Sequence, residues 1–364
     1  MGIEKYYIDK DSLKEFDSKS DQLIELMNKY MKDDNDRRNL IGNNSIDVMY
    51  DNHRHHVNFM KSVFVLRDSK MFNEIVEWAY FSYTSRGFDP IYFHTAIPMW
   101  IKTIKDTFSE ATANQVIPYY NEILNIIEGI DVDKITHEKD HSKVKSSWNK
   151  FQKDLYQILI KGDFRLAVKL TETVVSNRED LKSTYYDVLR PVMYEIGLSW
   201  EKGLITTAQE HLATSIIIRL MTTLYMKFFG LIDYAKGKFI MSAAQNEFHE
   251  VGARMISDLL ELDGWDVEYY GANTPVDSLY ERLVSDKPDI LGISVAMPFN
   301  LPKVIEFIER IREDDRLNSM KIMVGGYAVS NMSSKEIIPA DLVVGGTEDP
   351  IVLAGEWWNK RWTS

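Results

Sequence analysis

After Gly237 the sequence changes period repeatedly, and this restricts the possible folds more than any other feature. KFIMSA, WDVEYYG, DILGISVA, KIMVGG and ADLVVGG are short β-like runs at fairly regular intervals. Amphipathic segments such as VGARMISDLLELDG and LPKVIEFIERIRED lie between them. Strands alternating with helical crossovers predict a parallel, doubly wound α/β sheet with helices on both faces, over residues 236–364. In such a sheet, ligands bind beyond the carboxyl ends of the strands, where strand order reverses.

Upstream the pattern is helical throughout. Phe72, Ile75, Val76, Ala79, Tyr80 and Tyr83 share one stripe, which stops at Arg86-Gly87. Asp89-Pro90 reads as the N-cap and first residue of the next helix, whose stripe is Phe93, Ile97, Trp100, Ile101, Ile104 and Phe108. A third stripe runs from Ile117 to Ile127 and ends at Gly129, and two weaker helices precede these, near 11–32 and 46–66. Residues 1–130 are therefore an all-α domain. DVDKITHEKDHS, residues 131–142, is charged and reads as a linker. Residues 143–232 give four more helical segments, with breaks near Gly162-Asp163, Ser176-Asn177 and Gly203, which favours an antiparallel four-helix bundle.

The length of 364 residues is enough for such a multidomain chain. A net charge of −12 argues against the broad phosphate neutralisation that drives nucleic-acid binding, and no basic recognition helix is present. With no cysteine there are no disulfides, thiolate metal sites or thioether-linked cofactors. No run approaches the ~20 apolar residues of a membrane span. The opening MGIEKYYIDKDS lacks a secretory h-region, so a cytoplasmic location is expected.

One loop stands out. QNEFHEVG, residues 245–252, follows the first strand at the ligand-binding edge and carries Glu247, His249 and Gly252. An imidazole there can ligate a metal through one ring nitrogen while Glu247 fixes the other. Gly252 lets a bulky ligand approach the first helical turn. A polar helix-start loop with an incidental histidine would look the same at this point. The later strand ends add Ser294, and then Gly325 and Gly326, small residues that would leave a slot beside the sheet. The loop holds only one glycine, which argues against a dinucleotide-type phosphate loop.

Glu-x-His-x-x-Gly at 247–252, then Ser294-Val295, then Gly325-Gly326, in order along the α/β region, resembles the cobalamin-binding domain of methionine synthase and its relatives. The resemblance implies a Rossmann-like domain in which His249 is the lower axial ligand to cobalt. It also implies that Glu247 tunes His249, that Asn300 extends the relay, and that the displaced dimethylbenzimidazole tail enters the slot at Ser294, Gly325 and Gly326. The family usually has Asp where this chain has Glu247.

The bundle sequence SWEKGLITTAQEHLA places nine residues between Trp200 and Glu210-His211. This spacing resembles the cap of cobalamin-dependent photoreceptors, the light-sensing regulators of carotenoid genes. The resemblance implies that Trp200 covers the upper face of the corrin and that Glu210 and His211 surround the upper ligand. Singly, each has a plainer reading: Trp200 as bundle core, Glu210 as the capping-box partner of Thr207, His211 as helix surface. Glu201 stands where the best-known photoreceptors have a histidine that takes the upper position after illumination, so that adduct is not available here.

The front domain resembles, in architecture only, the bilin-binding globin-like or phycocyanin-like half of photocobilins. The resemblance implies a bilin such as biliverdin, which without cysteine would be held non-covalently; by their chemistry as donors and cations, Arg86, Tyr92 and His94 are the candidate contacts, and a haem on one histidine is an alternative. By residue pattern alone, His94 reads as a helix-face residue, and His53, His55 and His56 as a solvated face. The expected function is a cobalamin-binding light sensor, taking adenosyl- or methylcobalamin and signalling to a homo-oligomer or downstream partner, and not an enzyme. The competing expectation is a corrinoid protein that carries methyl groups for a methyltransferase. An isomerase would need a substrate barrel for which the chain has no room.

Overall fold

A computed structural model describes residues 2–32, 37–130, 149–345 and 348–360. The predicted linker at 131–142 lies outside them. The described chain forms two compact units, one built mainly from residues before 139 and one mainly from those after.

The first unit is helical, as expected: α1 (Lys10–Ser18), α2 (Ser20–Lys32), α3 (Arg37–Ile41), α4 (Ile46–Leu66), α5 (Ser69–Thr84), α6 (Ile91–Thr107) and α7 (Glu110–Glu128). Local chemistry sets its boundaries. Asp9, Asp68 and Ser109 cap α1, α5 and α7 by accepting amides that the first turn leaves unpaired. At α6 the N-cap is Pro90, one residue later than predicted. Asp89 still accepts the Ile91 amide at 2.9 Å from outside the helix. The interior is filled by aromatic side chains, with Phe16, Phe72, Trp100, Tyr119 and Tyr120 all buried.

In the second unit, α8 (Lys150–Lys161) and α9 (Phe164–Thr171) are followed by one continuous rod. The rod is α10 (Arg178–Ser183), a π-helical turn (Thr184–Leu189) and α11 (Arg190–Glu201). The last bundle helix is α12 (Thr207–Tyr225). The predicted breaks hold for identifiable reasons. Gly162 takes φ +80° at the end of α8 and Asp163 caps α9, while Asn177 and Asp180 form a capping box at α10. At α12 the capping box is Thr206 with Gln209, so Glu210 is not the capping partner that its spacing from Thr207 suggested.

The sheet follows with β1 (Lys238–Ala243), α13 (Val251–Leu262), β2 (Asp266–Tyr269), α14 (Val276–Asp286), β3 (Ile290–Ser294), α15 (Leu301–Arg312), β4 (Lys321–Gly325), α16 (Tyr327–Ser330), β5 (Leu342–Val344) and α17 (Pro350–Lys360). All neighbouring strands are parallel, in the order β2-β1-β3-β4-β5. Strand order reverses between β1 and β3, which places the carboxyl ends of these two strands at the ligand-binding crevice. Bundle and sheet share one apolar core, running from Leu155 and Ile217 through Leu260 to Phe239 and Trp265. By length and composition alone Thr207–Leu231 is apolar enough to cross a membrane, although Glu210, Arg219 and Lys227 interrupt it. Ile216, Ile217, Leu220, Met221 and Leu224 of that stretch are nevertheless buried in this core.

Candidate functional site

The loop after β1 carries the most heavily bonded carboxylate among the described residues at the crevice. Glu247 is fully buried, and a bare buried charge would be expelled from such a site unless its lone pairs were filled. They are filled. Oε1 accepts His249 Nδ1 at 2.6 Å and the His249 amide at 3.2 Å. Oε2 accepts the amides of Ala296 and Met297 at 2.9 and 2.8 Å, and Asn300 Nδ2 at 3.1 Å. Burial pushes the carboxyl pKa up, but the bonds from His249 and the Met297 amide outweigh it and hold the group below its usual range. Glu247 is therefore ionised.

The consequence falls on His249. Its hydrogen bond to Glu247 raises the imidazole pKa against the cost of drawing the ring out of open water, and the charge of Glu210 adds to the rise. With Nδ1 engaged and the side chain 65% exposed, Nε2 is the nitrogen available to a ligand. Asn300 joins the pair as expected. The two backbone amides from Ala296 and Met297 were not legible in the sequence, because main-chain donors have no residue signature. Phe248, between the pair, exposes its ring, and no pattern had singled it out.

The remaining candidates divide. Gly252 lies on the first turn of α13 and is exposed, with open space where a Cβ would be, so a bulky group can approach there. Ser294 is paired with Gly325 across β3 and β4 at the carboxyl edge. Gly326 has φ +114°, and a Cβ there would lie 2.4 Å from the Val295 carbonyl, so the backbone alone already demands glycine. A cavity of about 20 Å³ at the ends of β1 and β3 is lined by Ala244, Gln245, Asn300 and Lys303, but not by Ser294 or the two glycines.

On the bundle side, Trp200 is partly buried against the core, and its Nε1 donates to Thr207 Oγ1 at 3.0 Å across the α11–α12 turn. Glu210 accepts Thr214 Oγ1 at 2.9 Å and lies 2.5 Å from His211 Nδ1. His211 is exposed. Because the Glu210 charge acts on His249, the start of α12 and the β1 loop belong to one electrostatic neighbourhood.

The front-unit candidates do not converge in this way. Tyr92 is buried and shares a 3.2 Å hydrogen bond with His53 Nε2; Arg86 is half-buried; His94 is exposed, as its plainer reading had it. The 53–56 cluster is not a solvated face. His53 is buried, with Asn28 Oδ1 2.6 Å from its Nδ1, and His56 is half-buried against Trp100 and Tyr120, so only His55 is exposed. Burial lowers the pKa of both His53 and His56 to about 3, leaving them neutral.

Residues 237–354 match a family model described as a B12 binding domain, and residues 152–225 match a second B12 binding domain model. The matches fall on the sheet and on the bundle, and neither reaches the front unit. A corrinoid protein of Desulfitobacterium hafniense is 23% identical over 56% of this chain and 95% of its own length. Dimethylamine corrinoid protein 3 of Methanosarcina mazei is 22% identical over 45% of this chain and 98% of its own. The HTH-type transcriptional repressor CarH of Myxococcus xanthus is 26% identical over 46% of this chain and 55% of the repressor. These findings support a cobalamin-binding protein related to both the corrinoid proteins and the CarH repressor.

Among the described residues no group of three or more His, Asp or Glu side chains could hold a metal ion. The donor set does fit a corrinoid, whose macrocycle would supply most of the metal's ligands and need only one carboxylate-oriented imidazole, His249, from the protein.

Proposed function

We propose that this protein is a cytoplasmic cobalamin-binding sensor in which His249 holds cobalt from below and the α11–α12 turn covers the upper face. The observation that carries the reading is the His249–Glu247 pair, oriented at the carboxyl edge within electrostatic reach of Glu210. Bound adenosyl- or methylcobalamin would supply a cobalt–carbon bond that light can break. The chain's part is positional. Glu247 and Asn300 fix the imidazole, Gly252 leaves room for the ring system, and Ser294, Gly325 and Gly326 border the path of the tail. Trp200, held by Thr207, would lose its contact when the upper group leaves, and Glu210 and His211 would be re-exposed. A signal requires such a differential contact between states. The test is the absorption spectrum of protein loaded with adenosylcobalamin, before and after green light. A lasting change supports the sensor; a holo-protein that ignores light overturns it.

The corrinoid relatives support a second reading, a carrier whose methyl group a partner methyltransferase exchanges. Methylation of the reduced holo-protein by a methyl donor and its methyltransferase, without light response, would select it. The finer proposal for the front unit is a globin-like or phycocyanin-like domain with a non-covalent bilin. Added biliverdin should then give a red-shifted band altered by Arg86, Tyr92 or His94 substitutions, and no band would exclude it.

A further inference from the structure

Away from the crevice, one face of α13 is bonded along its length to the bundle. Arg254 Nη2 donates to Thr222 Oγ1 of α12 at 2.9 Å, Asp258 meets the Tyr185 hydroxyl at 2.8 Å, and Glu261 accepts the Tyr225 hydroxyl at 2.6 Å. Positions 254, 258 and 261 recur at the helical spacing, so the three contacts form one seam between bundle and α/β layer. Tyr185 belongs to the π-helical turn, a local irregularity of the kind often found at functional positions.

The central contact is the unusual one. Tyr185 has one hydroxyl proton but two acceptors, Asp258 Oδ2 and the Met221 carbonyl at 3.3 Å. A protonated Asp258 resolves the shortage: it donates to the Tyr185 oxygen, and Tyr185 donates to Met221. An ionised Asp258 takes the only proton for itself. One turn earlier, Arg254 Nε is buried and has no hydrogen-bond partner. An ionised carboxylate would supply that partner.

We propose that Asp258 is a proton-operated latch between the helix bundle and the α/β layer. Protonated, it holds the π turn against α13; ionised, it draws the Arg254 guanidinium from Thr222 and loosens the seam. The groups that face it are consistent with this balance. Burial raises the Asp258 pKa to about 6, with Glu261 adding to the rise and Tyr185 and Arg254 opposing it. Tyr225 and Tyr269 also feel its charge, but both phenols have pKa values raised by burial and remain neutral here. A carboxyl raised from 3.8 to about 6 contributes stability at low pH that is lost as pH rises through about 6. The latch does not depend on any cofactor, so it stands or falls separately from the cobalamin reading.

The test is amide hydrogen exchange of the full chain without added ligand, from about pH 4.5 to 7.5, corrected for the intrinsic rate. Opening of residues 184–189 and 219–225 should increase about tenfold across the interval, the equivalent of one pKa unit of linkage. Asp258→Asn, which stays neutral, should abolish the step. Thr222→Val, at an exposed position and so compatible with folding, should shrink it by removing the resting partner of Arg254. A wild-type profile with no step, or an Asp258→Asn profile with an undiminished one, overturns the proposal.

Discussion

Glu247 and His249 form a pair in which one residue is wholly enclosed and the other mostly exposed, joined by a 2.6 Å hydrogen bond. The enclosed carboxylate is anchored by amides from a segment 49 and 50 residues later, so the direction of the imidazole is set by the β3 end rather than by its own loop.

Replacing the ligand and replacing its anchor should therefore have different effects. His249→Ala should leave folding intact and abolish the His-bound cobalamin spectrum. Glu247→Ala should also lower thermal stability, by about 1–3 kcal/mol for each donor that stays dry. Glu247→Gln should fold but bind cobalamin roughly 10–100-fold more weakly, the usual cost of losing an outer partner of a metal ligand. Thermal melts alongside cobalamin titrations separate the three.

The two glycine types offer a sharper contrast. Gly252→Ala adds a methyl in open space on a helical turn, so it should be neutral or slightly stabilising while weakening cobalamin uptake. Gly326→Ala forces an L side chain to φ +114° against the Val295 carbonyl, so it should destabilise the cofactor-free protein, by about 1–3 kcal/mol from backbone strain alone. Equal melting temperatures for the two variants would contradict this division.

Trp200→Ala should shorten the retention of adenosylcobalamin in the dark and diminish any light-induced change. Thr207→Val only releases the indole N–H, so it should cost about 1 kcal/mol of the same hold. Dissociation followed by absorbance distinguishes a cap from a core residue, because a core residue would lower stability without touching retention.

The front unit has its own acid-sensitive staple. Glu15 accepts Lys19 Nζ at 2.7 Å, Ser109 N at 3.0 Å and Oγ at 2.7 Å, and Thr112 Oγ1 at 2.6 Å, tying α1 to the start of α7. The Lys19 bond leads in lowering its pKa from 4.5 to about 2. A depressed carboxylate stabilises above its ordinary value and loses that contribution as pH falls toward about 2. Glu15→Gln should cost about 1 kcal/mol near neutrality, after allowance for solvent screening, and progressively less on acidification. A difference that is constant with pH would count against the assignment.

Much of the architecture was legible because its signals are local. The alternation after Gly237, the capping residues at Asp163 and Asn177 and the break at Gly162 each act within a turn or two of chain, so they can be read in order. The loop with Glu247, His249 and Gly252 was legible for a related reason: it follows directly from a strand whose carboxyl end must face the crevice. What sequence could not decide was partnership across the fold. His53, His55 and His56 are near neighbours in one helix, yet packing buries the first, half-buries the third and exposes the second. Asp258 reads as one more charge on an amphipathic helix until the bundle brings Tyr185 against it. Periodicity sets which face of an element turns inward; only the assembled layers decide which side chain waits there, and that partner determines whether a polar group is solvated, paired or available for chemistry.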